Sequence, residues 1–302
     1  MKRFKIDTRL PLDNNIRMVL ENIILNMALY KSTKKKPDIT IHQSRKSIKR
    51  IRAILKMIRY GTGYSFYQRE NLFFRDLSRR MASARDFSVL LQTMKLMEQK
   101  YREKFPGKDL QRLRNQLSTL KQEHILPLTV PQGGLAAIAE ELDKALPRIK
   151  STLDVGNEFR CIGTGMKKTY RRARRYLQDM GDLSSAETLH EYRKNCRNLQ
   201  YQVELVQPLF PDLLKAYATT LDNHSELLGK IRDFQRFELY LQGDLSEVIT
   251  IHGKENMQHA IKQLRLRAMA GIYKNAGLIF AEKPGNFIDR IQLYWNLHYS
   301  IN

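Results

Sequence analysis

Two stretches of this chain repeat one another at a nearly constant offset, and that duplication constrains the fold more than any other feature of the sequence. The segment HQSRKSIKRIRAILKMI, from His42, aligns with HEYRKNCRNLQYQVELV, from His190. His42 pairs with His190, Arg45 with Arg193, Lys46 with Lys194 and Lys49 with Arg197, at an offset of 148 positions. A second block, ARDFSVLLQ from Ala84, aligns with IRDFQRFELYLQ from Ile231 and pairs Arg85–Asp86 with Arg232–Asp233 at an offset of 147. Two separate blocks at almost one offset make the chain a duplicated unit, split near residue 150.

The unit is helical. Gly and Pro are sparse and sit at segment ends, and apolar residues between them recur with the helical period. The pattern predicts helices over Asn14–Lys31, Ile41–Arg59, Ser65–Met81, Asp86–Lys104 and Asp109–His124. After the break LPLTVPQGG it predicts Leu135–Ile149, Gly165–Met180, Ala186–Val206, Asp212–Leu228, Arg232–Gln242, Glu255–Ala276 and Phe287–His298. Phe66, Tyr67, Phe73, Phe74, Leu77 and Met81 share one stripe, expected to face the core, with Gln68, Arg75 and Arg79 on the polar side. Lys34, Lys35 and Lys36, before Pro37, read as a solvated loop.

Charge narrows the class of partner. Lys and Arg number 53 against 31 Asp and Glu, a formal net charge of +22. Such an excess repels itself in a folded chain, and an anionic partner is the usual reason to keep it. Phosphate polymers, nucleic acids and anionic membranes all qualify. Cys161 and Cys196 are the two cysteines, which is too few for a disulfide framework or a zinc quartet and fits a reducing cytoplasm. No apolar run approaches the roughly 20 residues of a membrane span, and MKRFKIDTRLPLDNN lacks the apolar core of a signal peptide, so an intracellular protein without membrane insertion is expected.

The cations are ordered along the helices. On Ile41–Arg59, His42, Arg45, Lys49, Arg52 and Lys56 lie within about 80° of one another, opposite Ile48, Ile51, Ile54, Leu55 and Ile58. Cations stacked at i, i+3 and i+4 repel, and a face made only for solubility would intersperse Glu. The arrangement suits a line of anions, with Arg offering forked donors to phosphate oxygens and Lys a mobile point charge. The second copy repeats His190, Arg193, Lys194 and Arg197, but has Gln200 where the first has Arg52 and Glu204 where it has Lys56, so unequal use of the halves is expected. A third segment, GMKKTYRRARRYLQDM from Gly165, puts six cations into nine residues: Lys167, Arg171 and Arg174 on one side and Lys168, Arg172 and Arg175 beside them. Met166, Tyr170, Ala173 and Leu177 form its apolar stripe. Lys262, Arg265, Arg267 and Lys274 are a candidate counterpart.

Other chemistry lacks support in the residues. Neither His42 nor His190 has a ligand partner at metal spacing that recurs in both halves, so no metal is expected. Asp86 and Asp233 read as helix N-caps or as partners of a basic helix. Cys161 and Cys196 have no catalytic setting. CIGTGMKK lacks P-loop spacing, and no carboxylate cluster looks able to hold the magnesium of phosphoryl transfer.

At His42-x-x-Arg45-Lys46-x-x-Lys49-Arg50-x-Arg52 and His190-x-x-Arg193-Lys194-x-x-Arg197 the chain resembles the CHAD domain, the conserved histidine α-helical domain family. The Arg-Asp blocks and the Tyr170–Arg175 run fit the same pattern. The resemblance implies an all-α fold of two four-helix bundles related by a pseudo-two-fold, with a basic cavity between them. It implies one CHAD-like domain over residues 1–302, with halves of about 14–149 and 157–302. It also implies binding of inorganic polyphosphate without catalysis or cofactor, in the cytoplasm and at polyphosphate granules. Carried over, the contacts would be His42, Arg45, Lys46, Lys49 and Arg52, then His190, Arg193, Lys194 and Arg197, then Arg171, Arg174 and Arg175; the stripe itself adds Lys56. A nucleic-acid binder is the alternative, disfavoured because such grooves pair cations with aromatic platforms and the Ile41–Arg59 stripe has no aromatic before Tyr60. A polyphosphate-processing phosphotransfer enzyme is the third reading.

Overall fold

A computed structural model describes residues 4–28, 37–105, 107–130, 134–178 and 186–299. The run Lys34–Lys36 and the predicted helix tails at Lys31 and Met180 lie outside them. The described chain is all-helical: α1 Leu12–Ala28, α2 Pro37–Ile58, α3 Tyr64–Arg80, α4 Ala82–Tyr101, α5 Gly107–Thr129, α6 Gly134–Thr152, α7 Arg160–Gln178, α8 Ala186–Leu205, α9 Pro211–Gln242, α10 Ile251–Ile279 and α11 Pro284–Tyr299. Moved along by 147 or 148 positions, α1 falls on α7, α2 on α8, α5 on α10 and α6 on α11.

The copies differ at one joint. The predicted break between Leu228 and Arg232 does not occur, and α9 runs unbroken for 32 residues through Gly229. Its equivalent in the first half is divided at Met81 into α3 and α4. Gly229 lies mid-helix beside Arg193: a Cβ there would meet Arg193 Nη2 at 3.4 Å, an ordinary contact. Helix α5 also outruns its expected end at His124, carrying Pro127 in its last turn.

Two apolar cores hold these helices. The larger includes α2's inner face, with Ile41, Ile48, Ile51, Ile54, Leu55 and Ile58 at 1% exposure or less, each contributing roughly 1.5–3 kcal/mol on burial. It also takes in Phe66, Phe74, Leu77 and Met81, as the aromatic stripe predicts, and Met166, Tyr170 and Ala173 of α7. The second core is built from α4, α5, α9 and α10, with Phe87, Leu90, Leu113, Phe234, Phe237 and Ile261 buried. Each core therefore draws helices from both sides of residue 150. Helix α2 packs on both α7 and α8, and its approach to α7 requires glycine: a Cβ on Gly165 would lie 2.0 Å from the Met57 carbonyl oxygen.

Candidate functional site

The contact between α2 and α8 places the two basic motif helices side by side, and the site grows from that pairing. Their apolar faces turn into the large core, and His42, Lys46, Lys49, His190 and Lys194 stay exposed. Arg50 pairs across the contact with Glu204 at 2.6 Å, and Gln202 Nε2 donates to the Ala53 carbonyl at 3.1 Å. Glu204 is thus engaged by a first-half cation rather than standing as a free repulsive charge in the second copy.

The single stripe predicted on α2 divides into two rows. Lys49 and Lys56 turn toward α8, whereas Arg45 and Arg52 turn toward α3. Arg45 Nη1 donates to the Ser78 carbonyl, one of the last carbonyls of α3, where a cation also meets the negative end of the helix dipole. Arg52 Nε donates to Asn71 Oδ1 at 3.0 Å, and its cationic neighbours are Arg75 and Arg79. The structure therefore does not bring Arg52 to Lys49.

Lys49 stands in the field of cations from three helices. Desolvation, and then Arg193, Arg45, Arg197 and Arg232, draw its pKa down to about 7. The charges that act most on it are all cationic and come from α2, α8 and α9. The side chain is nevertheless exposed, so water screens much of this repulsion. Arg193 is similarly held down to about 10, by burial and then by Arg232 and Arg197, with Asp233 opposing. Its Nε is buried without a hydrogen-bond partner. Arg197 is tied to Asp222 at 2.7 Å and to Gln200 Oε1 at 2.8 Å. His42 and His190 stand exposed at the rim. Partial enclosure lowers both, followed by Arg85 and Lys49 for His42 and by Arg232 for His190. Lys46 is exposed near them, and Lys194, also exposed, pairs with Glu191.

Farther along α2, Lys56 donates to Asn195 Oδ1 at 2.9 Å. Burial and then Lys194, Arg172 and Arg59 hold its pKa down to about 7. Beyond it Arg59, Lys168, Arg171, Arg172 and Arg175 line a pocket of about 260 Å³ whose lining is entirely basic. Arg174 is not among them: its Nε donates to the Phe280 carbonyl at 3.3 Å, at the C-terminal end of α10. The candidate counterpart Lys262, Arg265, Arg267 and Lys274 lies on α10, which corresponds by position to α5, so it does not mirror α7.

Several of these cations escaped the stripe argument. Arg85 and Arg232 were visible only as members of the repeated Arg-Asp blocks, and Arg59 follows directly on the end of α2. The acids of those blocks are not caps, since α4 starts at Ala82 and Asp233 lies deep within α9. Asp86 pairs with Arg236 at 2.5 Å. Asp233, whose carboxyl is raised by burial, sits in the field of Arg193, Arg232, Arg85 and Lys49. Burial raises both cysteine thiols. Among the described residues no three His, Cys, Asp or Glu are grouped to hold a metal ion, and no helix is long and apolar enough to cross a membrane.

Three comparisons place this arrangement. The family model of the CHAD domain matches residues 28–242, a span that holds both motif helices and both Arg-Asp blocks. The fold is similar to the crystal structure of the CHAD domain from the plant Ricinus communis, at 18% identity and a TM-score of 0.60, over 97% of this chain and 94% of that one. No curated protein matches. With more than half its length matched by one family model, the chain belongs to the CHAD domain family.

Proposed function

We propose that this chain binds inorganic polyphosphate in the cleft between α2 and α8, as a binding module and not as an enzyme. The observation that carries the reading is Lys49 among Arg45, Arg193, Arg197 and Arg232. Cations gathered from three helices at the expense of their own repulsion are stabilised by a ligand that supplies many negative charges in a row. In this reading the chain is one domain whose halves, about 14–149 and 157–302, are related by a pseudo-two-fold, and the cleft is the basic cavity between them. Lys56 and the basic pocket of α7 extend the track. A cytoplasmic place at polyphosphate granules accords with such a ligand.

Polyphosphate fits better than nucleic acid because the cleft lacks a free aromatic platform. Tyr201, near Arg193 and Arg197, is 3% exposed. Tyr60, at the far end of α2, already carries Lys168 Nζ at 4.1 Å and Arg59 Cζ at 4.5 Å from its ring centre. The test is competition between long-chain polyphosphate and single-stranded DNA at matched phosphate concentration, repeated over a salt series. Polyphosphate should win by at least about tenfold, and its affinity should fall steeply with salt as counterions are released. Arg45→Ala with Lys49→Ala, and Arg193→Ala with Arg197→Ala, should each weaken binding, and the two effects should not add, because the four groups share one field. Equal affinity for both polymers would remove the preference, and full binding by both folded double variants would remove the site. Phosphate release from polyphosphate with magnesium or manganese, if lost in those variants, would overturn the non-enzymatic reading.

A further inference from the structure

A cavity of about 330 Å³ lies between α4, α8 and α9. Arg85, Arg193, Arg197 and Lys230 bring four cations to it, and Asp233 and Glu226 two carboxylates. Its volume is at the small end for ligand pockets, which run from roughly 300 to 1,000 Å³, so it admits a short piece of a polymer and not a run of it. Its positive excess is two charges, and Arg197 is shared with Asp222 outside. That is a modest charge beside the four cations that act most strongly on Lys49.

Two donors in the wall are unused. Ser225 has no exposed surface, and its Oγ has no hydrogen-bond partner among the described residues. Arg193 Nε is buried and unpartnered in the same way. A buried hydroxyl left without a partner carries a desolvation penalty, which an acceptor atom entering the cavity would remove. Gly229 keeps the wall open beside Arg193. The cavity thus offers donors in excess, limited space and a small positive charge.

We propose that this cavity seats the terminal phosphate of a phosphate chain, so that the protein recognises polyphosphate ends as well as length. The inference rests on the polyphosphate reading above. An internal phosphate has one ionisable oxygen and continues in both directions. A terminal phosphate has two ionisable oxygens, a second pKa near about 6 in phosphomonoesters, and only one connection to the rest of the chain. It therefore fits a side pocket with a small positive excess, while the remainder of the chain lies on α2 and α8.

The experiment compares size-fractionated polyphosphate with free ends and the same material with both ends capped as alkyl esters. The parent protein should bind the free-ended form about tenfold more tightly, the equivalent of one charge-assisted hydrogen bond. Ser225→Ala and Lys230→Ala should bind capped chains like the parent and lose the preference for free ends. Ser225→Ala removes a hydroxyl that has no partner, and Lys230 is exposed, so at least the second variant will keep its fold, as circular dichroism can verify. Equal binding of capped and free chains by the parent would overturn end recognition and leave the binding function standing. A variant that loses both forms equally would also overturn it, by assigning the residue to the track. Failure of the parent to bind either form would sink the function itself.

Discussion

At the scale of single residues, Lys49 is destabilised by the cations around it, and the proposed anion would relieve that repulsion. Lys49 has an ordinary pKa of 10.5 and is held at about 7 in the folded chain. Between those values the unfolded chain binds more protons than the folded one, so this group's contribution makes stability rise with pH. Below pH 7 the lysine is charged in both states and the repulsion is felt in full. Lys49→Met should therefore stabilise the ligand-free protein at pH 6 by about 0.5–1 kcal/mol, a small value because solvent screens the group. The gain should shrink steadily toward pH 10. The same variant should lose polyphosphate affinity most at pH 6, where the parent lysine is charged. Thermal melts and binding titrations over that range check both halves, and a Lys49→Met protein less stable than the parent at pH 6 would contradict them. His42, Arg45, Lys46, Lys49 and their repeats were legible because cations without interspersed acids are unusual on a helix. Their division into two rows was not, because helical periodicity cannot tell which neighbour a long side chain will reach.

At the scale of elements, two glycines do opposite work. Gly165 lets α7 cross α2 with a backbone approach that no Cβ could share, 2.0 Å from the Met57 oxygen. Gly165→Ala should therefore destabilise the protein by about 3 kcal/mol through overpacking, with a clear fall in melting temperature. Gly229 lies inside α9, where alanine would ordinarily gain up to about 1 kcal/mol in helix propensity, and its new Cβ would touch only the tip of Arg193 at 3.4 Å. Gly229→Ala should leave stability unchanged or slightly raised, and polyphosphate binding close to the parent's, because a contact at 3.4 Å does not displace Arg193. Comparable destabilisation in both variants would show that the Arg193 contact is as rigid as the α2–α7 crossing. The same glycine explains why sequence reading divided α9: glycine is a general mark of helix ends.

At the scale of the whole molecule, neither core belongs to one half. The second core mixes α4 and α5 with α9 and α10, and the first joins α1, α2 and α6 to α7, α8 and α11. Residues 14–149 or 157–302 expressed alone would expose one side of both cores. Each should lack a cooperative thermal transition and bind the dye ANS, as loosely packed chains do, and mixing the two should restore helical content and a melting transition. Cooperative melting of one isolated half would show that the shared cores are dispensable. A net charge of +22 adds a further expectation, since polyphosphate that binds only the folded state should raise the melting temperature with the logarithm of its concentration above Kd.

The sequence by itself determined the all-helical class, the repeat and the residues of both motif helices, because helical period and charge order are local properties of the chain. It also placed Ile48, Ile51, Phe74, Tyr170 and Ala173 in the interior, since an apolar stripe has only one stable direction. Only the tertiary structure decided that α2 and α8 lie side by side, that Glu204 is answered by Arg50, and that Arg174 serves the end of α10 instead of the basic pocket. It alone joined Arg85, Ser225 and Lys230 into one cavity. These are contacts between residues as much as 154 positions apart, and packing sets them, because the direction in which two helices cross depends on which side chains, or which missing Cβ, allow the backbones to approach.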